Sequence, residues 1–174
     1  MNQPDERRRI PRAVTGLLAG GCALVLSPLL LALGGCRAAE PAVTLGGERY
    51  TVEIADDEAS RTVGLMFRDT LPKRHGMLFI FPEQAPRAFW MKNTKIPLDI
   101  IYFDRELRLV SVSANARPCL STPCRNYPSA APAMYVLELN AGEAARLGIK
   151  TGDRLVLHNS GTGKASPDSP TAEQ

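Results

Sequence analysis

The sequence has few of the residues on which common catalytic sites depend. Its 174 residues include only two histidines, His75 and His158, and it has no Gly-x-Ser-x-Gly, His-Glu-x-x-His or phosphate-loop motif. These absences disfavour Ser-His-Asp hydrolases, the common zinc peptidases and P-loop nucleotide enzymes. We therefore expect a protein with no cofactor and no metal site, and an enzymatic activity is disfavoured.

The main part of the chain also lacks a cluster of positive charge. Residues 37–174 carry 17 basic and 16 acidic groups, whereas residues 1–36 carry four arginines and two acids. A nucleic-acid-binding surface needs a basic stripe or patch. We therefore expect no nucleic-acid partner.

The first 36 residues have the layout of an export signal. A basic start is followed by an apolar run over residues 13–33, and Leu33-Gly34-Gly35-Cys36 is similar to a bacterial lipobox. The sequence thus predicts a signal segment, 1–36, that ends at a lipid-modified Cys36; Cys22, after Gly20-Gly21, is a weaker candidate. The apolar run is also about long enough to span a bilayer, so an uncleaved anchor and a soluble secreted product stay open as alternatives.

An acyl chain on Cys36 would bind the protein to a membrane, on the side facing away from the cytoplasm. The expected location is therefore the bacterial cell envelope. Arg37, in place of an aspartate after the lipobox cysteine, favours the outer membrane, with the domain facing the periplasm.

One folded domain is expected over residues 42–158, after a linker at 37–41. Residues 159–174 contain no large apolar side chain, so this stretch cannot bury enough surface to offset its ordering entropy, and we predict a disordered tail.

Short apolar and alternating runs predict an α+β, mostly β fold: a small antiparallel or mixed β-barrel or sandwich with two short helices. The expected strands cover 49–54, 77–81, 89–91, 98–103, 107–113, 133–139 and 154–158, the helices 58–67 and 141–147, and the main loops 82–86 and 117–132.

Two further cysteines, Cys119 and Cys124, lie in the proline-rich 117–132 segment. Because an exported protein meets an oxidising compartment, a structural disulfide is the main expectation. A redox or metal site remains the alternative.

Several phrases of the domain are similar to one family. Residues 64–68 (GLMFR), 76–81 (GMLFIF), 89–94 (FWMKNT) and 148–153 (GIKTGD) resemble the uncharacterised family called domain of unknown function 192, and the resemblance covers about residues 43–157. It implies a compact β-rich domain that is often carried by exported proteins, with the cysteine pair in some members. It implies no reaction.

A candidate ligand site lies around the single tryptophan. Alternation along the extended segment 89–93 sets Trp90 and Lys92 on one face. Asn93, which is next in sequence, Arg68 and Asp99 are further candidates. A tryptophan surrounded by polar groups is typical of sites for small polar molecules and sugars. The alternative is that Trp90 is simply a large core residue.

Asp99 and Glu138 each interrupt an otherwise apolar strand. Such carboxyls need hydrogen-bond donors, so either could hold a turn in place or serve in binding or acid–base catalysis. The leading hypothesis is a non-enzymatic binding or accessory module for a small polar ligand, an envelope glycan or a partner protein. The alternatives are a hydrolase or lyase of an envelope polymer, with both carboxyls in one cleft, and a purely structural adaptor.

Overall fold

The computed structural model describes residues 39–158. The predicted signal segment with Cys36, the first two residues of the predicted linker (37–38) and the predicted tail lie outside them. Within the described range the chain forms nine strands and two short helices. The strands are β1 (Ala42–Leu45), β2 (Glu48–Ala55), β3 (His75–Ala85), β4 (Ala88–Trp90), β5 (Leu98–Phe103), β6 (Leu109–Ala116), β7 (Asn126–Pro128), β8 (Ala133–Asn140) and β9 (Val156–His158), and the helices are α1 (Glu58–Val63) and α2 (Glu143–Leu147).

Seven strands form one curled, half-barrel sheet in the order β6-β5-β8-β3-β2-β1-β9, and β4 and β7 form a separate two-stranded ribbon. All pairs in the large sheet are antiparallel except β2 and β3, which α1 connects as a parallel pair. The mostly β fold with two short helices is as predicted from sequence. β8 lies between β3 and β5, so both of its edges are paired.

The two faces of the sheet carry separate apolar clusters. One contains Leu78, Ile101 and Leu137, with α2 packed against it through Ala144. The other contains Phe79, Ile100 and Val136, and β4 covers part of it through Phe89. Because neighbouring residues of a strand point to opposite faces, consecutive apolar residues in β3, β5 and β8 supply both clusters. This explains why their sequences read as continuous hydrophobic runs.

The local structure differs from the sequence prediction at several places. Helix α1 ends at Gly64 instead of continuing to Phe67, and none of its residues is buried. The predicted loop at 82–86 largely belongs to β3, the predicted loop at 117–132 contains β7, and β1 was not expected. Gly64 ends α1 early. In the other segments, pairing with a strand that is distant in sequence decides the backbone conformation.

Candidate functional site

A small pocket opens on the face of the sheet that β4 partly covers. Its volume is about 30 Å³, which is room for roughly two water molecules or a group of a few heavy atoms. It is lined by the end of α1 and the turn that follows, by two strands of the large sheet and by the segment around β4. The lining residues are Arg61, Thr62, Val63, Gly64, Leu65, Met66, Phe79, Phe89, Trp90, Thr94 and Glu138.

Glu138 is the buried ionisable residue of this pocket. Its side chain is on β8 between Met77 of β3 and Ile100 of β5, and the residue is only 4% exposed. Within residues 39–158 no hydrogen bond or ion pair reaches its carboxyl group. Burial raises the pKa of Glu138 from 4.5 to about 8, because an ionised carboxylate loses most of its hydration there. At neutral pH it is therefore mainly a neutral acid.

The end of α1 forms one wall of the pocket. Asp57 caps the helix by accepting a hydrogen bond from the Ser60 N–H at 2.9 Å, and Gly64 ends it with a φ of +49°. That positive φ is a conformation in which glycine is favoured. Arg61 turns back toward β3 and donates from Nη1 to the carbonyl oxygen of Ile80 at 2.9 Å. This wall is thus held in place by the Asp57 cap, the Gly64 helix end and the Arg61 side chain.

Trp90 and Lys92 lie at the opposite side, as the strand alternation predicted. The Trp90 side chain is 46% exposed, and Lys92 Nζ lies 5.0 Å from the centre of its ring, within range of a cation–π contact. Trp90 lines the pocket and is not a core residue. Phe89, its neighbour in β4, points inward and meets Phe79 edge to face at 4.9 Å between ring centres.

The loop that follows β4 is fixed mainly through its backbone. Asn93 adopts a positive φ of 55°, its N–H donates to the carbonyl oxygen of Cys119 at 2.9 Å, and its carbonyl oxygen accepts from Phe67 N–H at 2.8 Å. The sulfur atoms of Cys119 and Cys124 are 2.10 Å apart, at disulfide distance. The cysteine segment therefore lies directly beside the loop that carries Lys92 and Asn93.

Asp99 is fully buried but does not belong to the pocket. One carboxylate oxygen accepts from the backbone N–H of Asn115 and the other from that of Ala144, each at 2.8 Å. The donors to Asp99 are thus backbone N–H groups of β6 and α2. They are not Arg68, Lys92 or Asn93, the residues with which the sequence prediction groups Asp99.

The structure separates the predicted site residues into different places. Asp99 is opposite Leu139 and Glu138 is opposite Ile100 in the pairing of β5 with β8. The two carboxyls therefore project from opposite faces of the sheet. Arg68 lies outside the pocket lining and forms an ion pair with Glu53 at 2.6 Å. Of the predicted group, Trp90 and Lys92 remain adjacent, with Asn93 in the same loop.

Arg61, Gly64 and Thr94 line the pocket but are not among the site residues predicted from sequence. Glu138 was predicted from its position in an apolar strand to hold a turn or to serve in binding or acid–base catalysis. Thr94, which is 5% exposed, follows directly after the phrase that contains Trp90. Arg61 could not be recognised, because only tertiary packing brings α1 against β3.

Two other kinds of site are not found among the described residues. Residues 39–158 contain no group of three or more histidine, cysteine, aspartate or glutamate side chains that could hold a metal ion. No helix in the same range is long and apolar enough to cross a membrane.

The fold can now be compared with known proteins. Residues 42–157, more than half of the chain, match the DUF192 family, which is described as "Uncharacterized ACR". The chain belongs to this family. The family description gives no activity, so the pocket must be interpreted from its own chemistry.

Relatives of this DUF192 protein cover the same domain. The UPF0127 protein PF1050 of Pyrococcus furiosus is 29% identical over 119 residues, which is 65% of this chain and 92% of that protein. A protein of unknown function from Novosphingobium aromaticivorans is 37% identical, with a TM-score of 0.61 over 79% of this chain and 97% of that one. A proposed transcription regulator from Sinorhizobium meliloti is 38% identical, with a TM-score of 0.61 over 67% and 91% of the two chains.

Proposed function

We propose that this protein is a non-enzymatic binding module of the bacterial cell envelope, held at a membrane by an acyl chain on Cys36. Its pocket between Trp90 and Glu138 takes one end of a small polar ligand or of a glycan chain. The observation that carries the proposal is the Glu138 carboxyl, which is buried, faces the pocket and has no partner within residues 39–158.

The Glu138 carboxyl has hydrogen-bonding capacity that no group within residues 39–158 uses. A buried polar group without a partner costs on the order of 1–3 kcal/mol, even when it is neutral. Met77 and Ile100, its direct neighbours on the adjacent strands, can supply no hydrogen bond. A ligand that reaches the carboxyl would remove this penalty, so the pocket favours an occupant with a polar end group.

The rim of the pocket supports the same interpretation. Trp90 and Val63 both line it and are 46% and 54% exposed. Exposed aromatic and aliphatic groups beside a buried polar group are typical of binding sites for amphipathic small molecules, in which apolar contacts give affinity and a few polar groups fix orientation.

The cellular location rests on the sequence of the first 36 residues and on the cysteine pair. The basic start, the apolar run and the Leu-Gly-Gly-Cys phrase are those of a lipoprotein signal. A disulfide between Cys119 and Cys124 would be stable in the oxidising compartments outside the cytoplasm. The near-neutral charge of residues 37–174 gives no support to a nucleic-acid-binding role.

The alternative of a two-carboxylate hydrolase or lyase requires Asp99 and Glu138 to share one cleft, with separations of about 5–10 Å as in glycosidases. Their positions on opposite faces of the sheet conflict with that requirement. We therefore propose a binding role and not that catalytic pair.

The proposal is tested with the full chain in detergent and a panel of oligosaccharides and short peptides. Trp90 is the only tryptophan, so its fluorescence reports directly on the pocket rim. At least one panel member should change the emission in a saturable way. The Glu138→Leu variant should bind it at least tenfold more weakly while remaining folded, because its strand neighbours are apolar.

The control is Val156→Ala, which removes an apolar side chain that is 47% exposed on β9 and lies outside the pocket lining. Its affinity should equal that of the unmodified chain. The proposal fails if no panel member alters Trp90 emission, or if Glu138→Leu and Val156→Ala bind equally well.

A further inference from the structure

The charges around Glu138 restrict the chemistry of a ligand. Two cationic groups flank the pocket: Arg61 lines it from α1, and Lys92 lies over the ring of Trp90. On the strands on either side of β8, Met77 and Ile100 are the partners of Glu138, and Tyr102 of β5 is a titratable group close enough to interact with it electrostatically. Arg61 and Glu138 are the only ionisable side chains among the lining residues. Because both flanking groups are positive, a cationic ligand would meet repulsion at the entrance.

The protonation states near neutral pH point to a neutral partner. Burial raises the pKa of Glu138 to about 8. Burial also raises the pKa of Tyr102 above its usual value, and its hydroxyl donates to the carbonyl oxygen of Tyr127. Around pH 7 the pocket therefore presents a carboxylic acid with one O–H donor and a free acceptor oxygen. An uncharged acceptor group can bind such an acid without forcing it to ionise.

The shape of the pocket adds a size limit. A volume of about 30 Å³ admits a group of a few heavy atoms, and Phe79 and Phe89 give it an apolar wall. A small group that combines a carbonyl oxygen with a methyl matches both surfaces. The half-exposed Trp90 lies at the rim, where a larger ring attached to such a group could stack.

We infer that the pocket binds the acetamido group of an N-acetylated sugar, with its carbonyl oxygen accepting a hydrogen bond from the Glu138 carboxyl and the sugar ring resting against Trp90. This ligand class rests on the binding role proposed above and specifies it. The methyl group packs toward Phe79 and Phe89, and no charge enters the pocket.

The experiment compares three disaccharides that differ mainly at one position. N,N′-diacetylchitobiose carries acetamido groups, chitobiose carries amino groups that are positively charged at pH 6, and cellobiose carries hydroxyls. Each is titrated into the full chain in detergent, followed by Trp90 fluorescence and by calorimetry. At pH 6 the acetylated sugar should bind at least tenfold more tightly than either of the others.

The dependence on pH identifies the group that is responsible. Affinity for the acetylated sugar should be constant from pH 6 to 7 and fall toward tenfold per pH unit above pH 8, as Glu138 ionises and loses its O–H. Glu138→Gln keeps a donor, so it should retain binding and lose the pH dependence. Glu138→Leu should bind weakly at every pH.

The outcomes separate this inference from the proposed function. Tighter binding of chitobiose at pH 6 would overturn the acetamido inference and indicate a cationic ligand. An affinity for the acetylated sugar that rises above pH 8 would also overturn it, because ionised Glu138 would then accept a hydrogen bond from the ligand. Binding of another panel compound but none of the three sugars would also overturn it. In all of these cases the binding role would stand, whereas a flat response to the entire panel would remove both.

Discussion

The Asp99 carboxylate accepts a hydrogen bond at 2.8 Å from the backbone N–H of Ala144, in the first turn of α2. The first N–H groups of a helix have no partner within the helix. The Asp99 carboxylate supplies the acceptor that the Ala144 N–H lacks, and that N–H supplies a donor to the buried carboxylate. The second oxygen of Asp99 accepts from Asn115 on β6 at 2.8 Å. One side chain thus connects β5, β6 and α2, and these contacts support the structural alternative for Asp99.

Replacing Asp99 with alanine should lower the free energy of unfolding by about 3 kcal/mol, because the buried N–H of Ala144 and the partly buried N–H of Asn115 both lose their acceptor. Asp99→Asn should cost less, since its amide oxygen still accepts one bond. Urea unfolding followed by Trp90 fluorescence measures both. Asp69→Asn, at a residue whose side chain is 81% exposed, is the control and should change stability by less than about 0.5 kcal/mol. Equal effects at the two positions would contradict this account.

Stability should fall as the pH rises from about 5 to about 8, because of Glu138. The unfolded chain releases this proton near pH 4.5, whereas the folded chain holds it until about pH 8. The unfolded state is therefore favoured by up to about 1.4 kcal/mol per pH unit within that window. Glu138→Gln should lack this component and be more stable than the unmodified chain at pH 8, with little difference at pH 4. Parallel pH profiles for the two proteins would show that Glu138 ionises normally.

Gly64→Ala should destabilise the domain by about 2–3 kcal/mol. Its φ is +49°, so a side chain there adds backbone strain of about 1 kcal/mol. The added methyl would also lie 3.2 Å from the tip of the Phe79 ring, which would have to move, and Phe79 lines the pocket. Gly47→Ala is a matched control, with a φ of +80° and open space around it. It should cost only about 1 kcal/mol and leave Trp90 emission unchanged. Comparing the thermal unfolding of the two variants separates the cost of the contact with Phe79 from the cost of the positive φ.

Metabolic labelling with a radioactive fatty acid tests the anchor. Cys36→Ser should abolish incorporation and leave the protein in the soluble fraction of the envelope or as an uncleaved precursor. Cys22→Ser, which removes the other cysteine of the segment, should be labelled normally. Labelling that persists in Cys36→Ser but disappears in Cys22→Ser would move the processing site to the earlier cysteine.

The sequence predicted the architecture better than it predicted the site. Runs such as residues 77–81 and 98–103 correctly predicted strands, and residues 141–147 correctly predicted a short helix. These features depend on local patterns. β1 and β7 were missed because short strands are defined by their partners and carry little pattern of their own.

The site was predicted only in part, for a geometric reason. Alternation placed Trp90 and Lys92 together, because both lie in one extended segment. Asp99 was grouped with them because it is near in sequence, but its orientation depends on the pairing of β5 with β6 and β8. Glu138 reaches the pocket from a residue 48 positions after Trp90, a proximity that no local pattern contains.

The placement of β8 between β3 and β5 has a consequence for folding fidelity. If β8 slipped by one residue, Glu138 would turn toward the cluster of Leu78 and Ile101, and an apolar neighbour would fill the pocket. Gly76 adds a steric check, since a side-chain carbon there would lie 2.5 Å from the carbonyl oxygen of Glu138. A mispaired chain would thus bury the Glu138 carboxyl in an apolar interior. The residue that gives the pocket its buried carboxyl therefore also disfavours the wrong alignment of the central strand.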